Sequence, residues 1–265
     1  MAITKVTSGV RTLGAGEVTT TNILDGTIAN ADVDASADIA LSKLATTGTA
    51  SGSNFLRGDG AWAAAGGGLN SVQTFTSSGT WTRPSGVTKV IMYVTGGGGG
   101  GGGANTAVGN SSAGGSAGTA IKFLDVSSIS TSTITVGAGG TGGAGGGSNA
   151  GTIGGATSWA DGTNTITSPG GGKGNFDSGA GGDATVAPTG GDINIGGGKG
   201  NQPKSYTVVD APPSFWGTGG SGGDASNNGG TGIAPGTGGG APWLNTSGDD
   251  GGDGAGGIIV VWEYK

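Results

Sequence analysis

The stretch GAGGTGGAGGG, residues 137–147, constrains what this chain can fold into more than any other. Gly137, Gly140, Gly143 and Gly146 share one register, three residues apart. A flexible linker needs glycine but no period, whereas three residues per turn is the repeat of the polyproline II helix. The register returns at Gly217, Gly220 and Gly223, and again at Gly248, Gly251, Gly254 and Gly257. Collagen needs one unbroken Gly-X-Y register over a long tract. Here the runs are short and are separated by segments such as NFDSGAGGDATVAP. At about 3.1 Å per residue, a run the length of 137–147 extends about 34 Å, the depth of a small domain.

A polyproline II helix bonds none of its own amides. Several can pack side by side if nothing larger than hydrogen separates their backbones, and their buried N–H and C=O groups must then pair between rods. Ordered glycine costs about 0.5–1 kcal/mol relative to alanine. The sequence therefore predicts a bundle in which nearly every inward amide is bonded and the outside is sealed. Trp159, Phe176, Phe215, Trp216 and Trp243 are the candidates for that seal.

The 68 glycines and eight prolines among 265 residues would by themselves suggest low complexity or disorder. Six tryptophans, and β-branched runs at both ends of the glycine-rich part, argue for an ordered chain. There is no cysteine and no histidine. That removes disulfides, thiolate metal sites and every Ser-His or Cys-His nucleophile. Net charge is −6, with no basic cluster, which argues against nucleic acid as a partner. No apolar run is long enough to span a membrane, and the opening MAITKVTSGV lacks the apolar core of a signal peptide. The expectation is synthesis in a cytoplasm, with no cofactor and no embedding in a membrane.

The first 65 residues hold eight glycines and the other 200 hold 60, which puts a domain boundary near AAAGGG at 63–68. Residues 1–65 are rich in small side chains, with sparse apolar ones at Ile23, Leu24, Ile28, Val33, Ile39, Leu41 and Leu44. Alone they bury too little to offset chain entropy; stacked on copies of themselves they would form a thin axial seam. A short helix over 34–44 is expected, capped by Asp34 or Ser36. Residues 66–265 open with strand signals: SVQTFTSSGTWTRP, then VTKVIMYVT at 87–95, TAIKFLDV at 119–126 and STITV at 132–136. A last strand, 258–263, lies in GGIIVVWEY. The expected fold is all-β: a small β-sandwich or jelly-roll base carrying a glycine-rich polyproline II (polyglycine II) bundle, preceded by an elongated N-terminal oligomerisation segment.

Several motifs invite chemical readings. GGGKGN, at 170–175 and 196–201, suggests a phosphate loop, but Lys173 and Lys199 are each followed by glycine rather than Ser or Thr, and a repeated turn between rods is expected. The tripeptide Arg57-Gly58-Asp59 reads as a polar turn before Trp62. Asp249, Asp250 and Asp253 lie close in sequence but lack the spacing and terminal Glu of an EF-hand loop, so a solvated acidic turn is expected ahead of a calcium site. Carboxylates such as Asp177 and Asp183 have no catalytic partner in the pattern, so no enzyme is expected. SYTVVDAPPSFWG and APWLN pair rigid prolines with aromatics, which suits either a binding contact or a cap on the bundle. The candidate binding residues are Phe176, Lys204, Tyr206, Phe215, Trp216, Trp243 and Asn245.

QTFTSSGTWTRPSGVTKVIMYVTGGGGGGGG, with the closing GAGGIIVVWEY, resembles the glycine-rich domain of bacteriophage tail-fibre and related virion proteins. DGTIANADVDASADIALSKL and FLRGDGAW are similar to segments upstream of phage fibre tips. The architecture resembles the tip adhesins of T-even-type phages, whose N-terminal attachment domain differs. The resemblance implies a receptor-binding fibre protein of a virion, a homotrimer joined to other virion proteins through residues 1–65. Its loops would meet a bacterial surface glycan or outer-membrane protein. The alternative is a capsid-attached head fibre or decoration protein with a mainly structural role. An ice-binding face, the third class, would need longer rows of Thr or Ala at the three-residue spacing.

Overall fold

The structure is a computed structural model. It describes residues 28–34, 36–37, 46–64, 66–104, 111–147, 149–176, 182, 186–202, 209–223, 227–242 and 248–265. The chain divides into two compact units, 1–65 and 66–265.

In the first unit, β1 (Asn54–Leu56) and β2 (Trp62–Ala64) form an antiparallel hairpin. The Arg57-Gly58-Asp59 tripeptide is its turn, as the sequence predicts. Gly60 donates to the Arg57 carbonyl at 2.9 Å, Asp59 accepts the Ala61 amide, and Arg57 pairs with Asp59 at 3.2 Å. Gly60 has φ +78°, a conformation that suits glycine in such a turn. Most of the expected helix over 34–44 lies outside the described residues.

The second unit is built on a sandwich of two antiparallel sheets. Its strands are β3 (Leu69–Phe75), β4 (Gly79–Thr82), β5 (Lys89–Thr95), β6 (Thr119–Asp125), β7 (Thr131–Thr135), β8 (Thr157–Ala160), β9 (Thr165–Ser168), β10 (Ile193–Ile195) and β11 (Ile258–Tyr264). The five-stranded sheet has the order β10-β6-β5-β11-β3 and the four-stranded sheet the order β4-β7-β8-β9. Period-2 alternation turns Val90, Met92 and Val94 of β5, and Ile259 and Val261 of β11, toward Trp81, Ile134, Trp159 and Ile166 of the facing sheet. The Trp81 and Trp159 rings meet at 4.9 Å between centroids. Trp159 thus belongs to the sandwich core and not, as the sequence suggested, to a seal around the rods, because its position in β8 points it between the sheets. Glu263 is also fully buried there. Its carboxyl oxygens accept from the Trp81 indole at 2.6 Å, from Gln73 at 2.7 Å and from the Ser71 hydroxyl, which satisfies a buried polar group and ties the sheets together.

The glycine tracts continue the strand pairs. β5 runs into 96–104 and returns by 111–118 to β6; β7 runs into 137–147 and returns by 149–156 to β8. From Gly97 to Ala104 every amide donates to another tract, at 2.8–3.0 Å. Gly97, Gly100 and Gly103 donate to the carbonyls of Gly155, Thr152 and Asn149. Gly98, Gly101 and Ala104 donate to those of Ala255, Gly252 and Asp249, and Gly99 and Gly102 to those of Gly115 and Ser112. Successive amides therefore turn to three different neighbours and return to the first after three residues, the polyproline II repeat. In the other direction the carbonyls of Gly98, Gly101 and Ala104 accept from Gly140, Gly143 and Gly146. Those of Gly97 and Gly100 accept from Gly171 and Gly174, and that of Gly99 from Gly239. The central rod thus has six bonded neighbours, three receiving its amides and three supplying theirs. At each residue from Gly96 to Gly103 an added Cβ would overlap a neighbour's carbonyl, so here glycine is needed at every position and not only at every third. The outer rod 137–145 shows the three-residue period as a burial pattern: Gly137, Gly140 and Gly143 are buried, while Ala138, Thr141 and Ala144 face water.

Candidate functional site

The bundle has a near end, where rods meet strands, and a far end, where rods are joined to each other. At the far end Ala104 donates to Asp249, Ser112 to Asn175, Ala113 to Asn201, Gly223 to Ala241 and Ala241 to Val209. These bonds gather the rod ends that flank the connecting segments 105–110, 177–181, 203–208, 224–226 and 243–247. Far-end side chains add their own bonds, the Asn201 amide to the Asp210 carbonyl at 2.7 Å and the Asn228 carbonyl oxygen from the Asp250 amide at 2.9 Å. Of the candidate binding residues, Phe176 sits here, half-buried, directly after Asn175. Lys204, Tyr206, Trp243 and Asn245 lie outside the described residues, on the connecting segments.

Phe215 and Trp216 are placed elsewhere. The Trp216 indole donates to the Thr95 hydroxyl at 2.8 Å, where β5 ends and the central rod begins. Tyr93, Phe215 and Trp216 form a three-ring cluster with centroids 5.1–5.9 Å apart. Ser214 fixes the turn: its hydroxyl donates to the Pro235 carbonyl at 2.7 Å and accepts the Trp216 amide at 3.1 Å. The eight residue-to-residue steps from Thr95 to Gly103 span about 25 Å at about 3.1 Å each. Phe176 and the Phe215–Trp216 pair therefore do not share one site. Trp216 does cap the bundle at its near end, whereas Phe215 stays 46 % exposed.

The acidic segment is not a plain solvated turn. Asp250 and Asp253 stand three residues apart on their rod, and their carboxylates accept the amides of Gly145 and Gly142, three apart on the next rod, the latter at 2.7 Å. Asp210 accepts the Gly222 amide in the same way at 2.7 Å. Carboxylates thus bond outward amides that lack a neighbouring rod. No cluster of ligating side chains fit for a metal ion occurs among the described residues. The two GGGKGN segments are rods and not turns: Gly171 and Gly174 donate to Gly97 and Gly100, and Gly200 donates to Gly182. Lys173 and Lys199 point outward from them.

Sequence reasoning missed one feature, the outer face of the five-stranded sheet. Val72, Phe123, Ile193 and Trp262 are exposed on it beside the three-ring cluster. Its signal is in the strands themselves, because KVIMYVT and IIVVWEY are almost unbroken apolar runs, the pattern of strands covered on both faces.

The family model described as a glycine-rich domain matches residues 70–264, from the first strand of the sandwich to the last. The chain belongs to that glycine-rich domain family. Comparison with curated proteins found no match. Among the described residues no helix is long and apolar enough to cross a membrane.

Proposed function

We propose that this glycine-rich domain protein is a fibre or adhesin component of a bacteriophage virion, and that the far end of its bundle binds a receptor on the host surface. The observation that carries the proposal is the gathering of rod ends 104, 175, 201, 223, 241 and 249 at one end of a backbone-bonded bundle. A platform of this kind holds its connecting segments on rigid supports, which lowers the ordering cost of binding and lets their sequences vary without disturbing the rods. Phe176, Lys204, Tyr206, Trp243 and Asn245 lie in or next to those segments and are assigned the receptor contact. Trp216 is assigned to the near-end cap. Residues 1–65 join the protein to other virion components as a homotrimer, and three copies raise the strength of a weak single site. The site is non-enzymatic and acts outside the host cell, on a surface glycan or an outer-membrane protein.

The test is adsorption. Purified full chain should bind host cells and compete with phage, and exchanging residues 203–208 and 243–247 for glycine-serine sequence should abolish both effects while leaving the circular dichroism unchanged. Full competition by the exchanged protein would move the receptor contact off the far end. Absence of cell binding by the unaltered chain would favour a decoration role on the capsid.

A further inference from the structure

The outer face of the five-stranded sheet is an unused apolar surface. Alternation places Ile91 and Tyr93 of β5, Phe123 of β6, and Val260 and Trp262 of β11 on it. Phe123 is 55 % exposed and Trp262 39 %. Val72 of β3 lies beside Trp262, Ile193 of β10 lies beside Ile121, and Phe215 stacks on Tyr93. On typical side-chain areas the exposed parts of this group amount to about 500 Å². A patch of that size matches the largest on a typical monomer, which is often functional, and about 800 Å² from each partner makes a standard interface.

We infer that this face packs against a second copy of the chain. The pattern of β5 and β11 calls for cover on both sides, and the facing sheet covers only one. The charges on this face of β5 and β6 are matched in sign, because Lys89 stands opposite Asp125. A chain of net charge −6 repels itself over most of its surface, and this neutral patch is where two copies can meet without that cost. A partner of strong charge finds no complement here. The face also carries both halves of a fit. Phe123 and Trp262 are exposed on it, and Phe123 also forms part of the wall of a depression of about 480 Å³ lined by Lys89, Ile91, Asp125 and Tyr264. This inference does not depend on the receptor reading, because it concerns the sandwich and not the far end.

The test is sedimentation of the full chain over a wide concentration range, for wild type, Phe123→Lys, Trp262→Lys and the double variant. Ile153→Lys, at an exposed position on a rod, is the control. Wild type and control should associate alike, and the double variant should associate at least 100-fold more weakly with an unchanged circular dichroism spectrum. Identical mass distributions for wild type and double variant at every concentration would overturn the inference, whether both are monomers or both assemble through residues 1–65. Should the double variant lose its fold, Val72→Cys labelled with an environment-sensitive dye replaces it, a selective reaction in a chain without cysteine. A blue shift of the dye with rising concentration supports burial of the face, and a constant spectrum rules it out.

Discussion

In the sandwich, the space between layers is filled by Trp81, Met92, Trp159 and Ile259; around the rod 96–104 it is filled by the main chains of six neighbours. Both regions are buried, but they specify themselves differently. A side-chain core selects by shape and tolerates repacking, at a cost graded by the volume lost. A main-chain core selects by the absence of a Cβ, and nothing in a carbonyl group can move aside as a rotamer does. The first region reads as a familiar hydrophobic pattern, and the second reads as low complexity because its specificity lies in what the residues lack.

The sharpest way to break this comparison is one methyl group. Gly100→Ala would drive a Cβ into the Thr141 carbonyl, and a loss of more than about 4 kcal/mol is expected. Ala144→Ser, on the water-facing register of the adjoining rod, should stay within about 0.5 kcal/mol. Chemical denaturation of the two variants measures the contrast, and equal stability would show that the rods are not close-packed.

In the sandwich, Trp159→Ala should cost about 3–5 kcal/mol through the cavity it leaves, with the chain still folding on a lowered thermal midpoint read by calorimetry. The edge of the bundle is intermediate. Asp253→Ala removes the acceptor of the Gly142 amide and should cost about 1 kcal/mol, because water can replace it there. Adding Asp250→Ala should extend the loss to Gly145, and hydrogen exchange at these two amides should quicken while exchange at Gly100 and Gly101 stays slow. The smallest effect concerns acid. The Lys122 ammonium and the Phe123 amide donate to Asp192 and hold its carboxyl below the usual carboxylate range. A folded value below the unfolded one, about 3.9, means the stabilisation is complete above that value and fades as pH falls through the folded one. Carbon NMR of the Asp192 carboxyl should give a midpoint below about 3.9, and Lys122→Met should move it upward.

Parts of this were legible beforehand. The segments around β3 to β7 and β11 stood out by alternation and β-branching, and the three-residue register announced rods that exchange amide bonds. β8, β9 and β10 were missed because TSWA, TITS and INI are too short and polar to stand out from the glycine around them. Trp159 reads as a seal for the same reason, since without β8 nothing in the sequence locates it between sheets. At the candidate site, residue types were readable but positions were not. Phe176 and Trp216 both stand beside glycine-rich tracts, yet one ends a rod at the far end and the other closes the near end.

That the main chain is the packing material follows from the order of residues, because a three-residue glycine register removes side chains from one face of a three-fold rod. Which rod became central, which amides fell to carboxylates at the edge, and which sheet face was left open emerged in the folded packing alone. Those outcomes depend on which tracts become neighbours, and neighbours are set by pairing between distant segments, about which a local pattern of glycine carries no information.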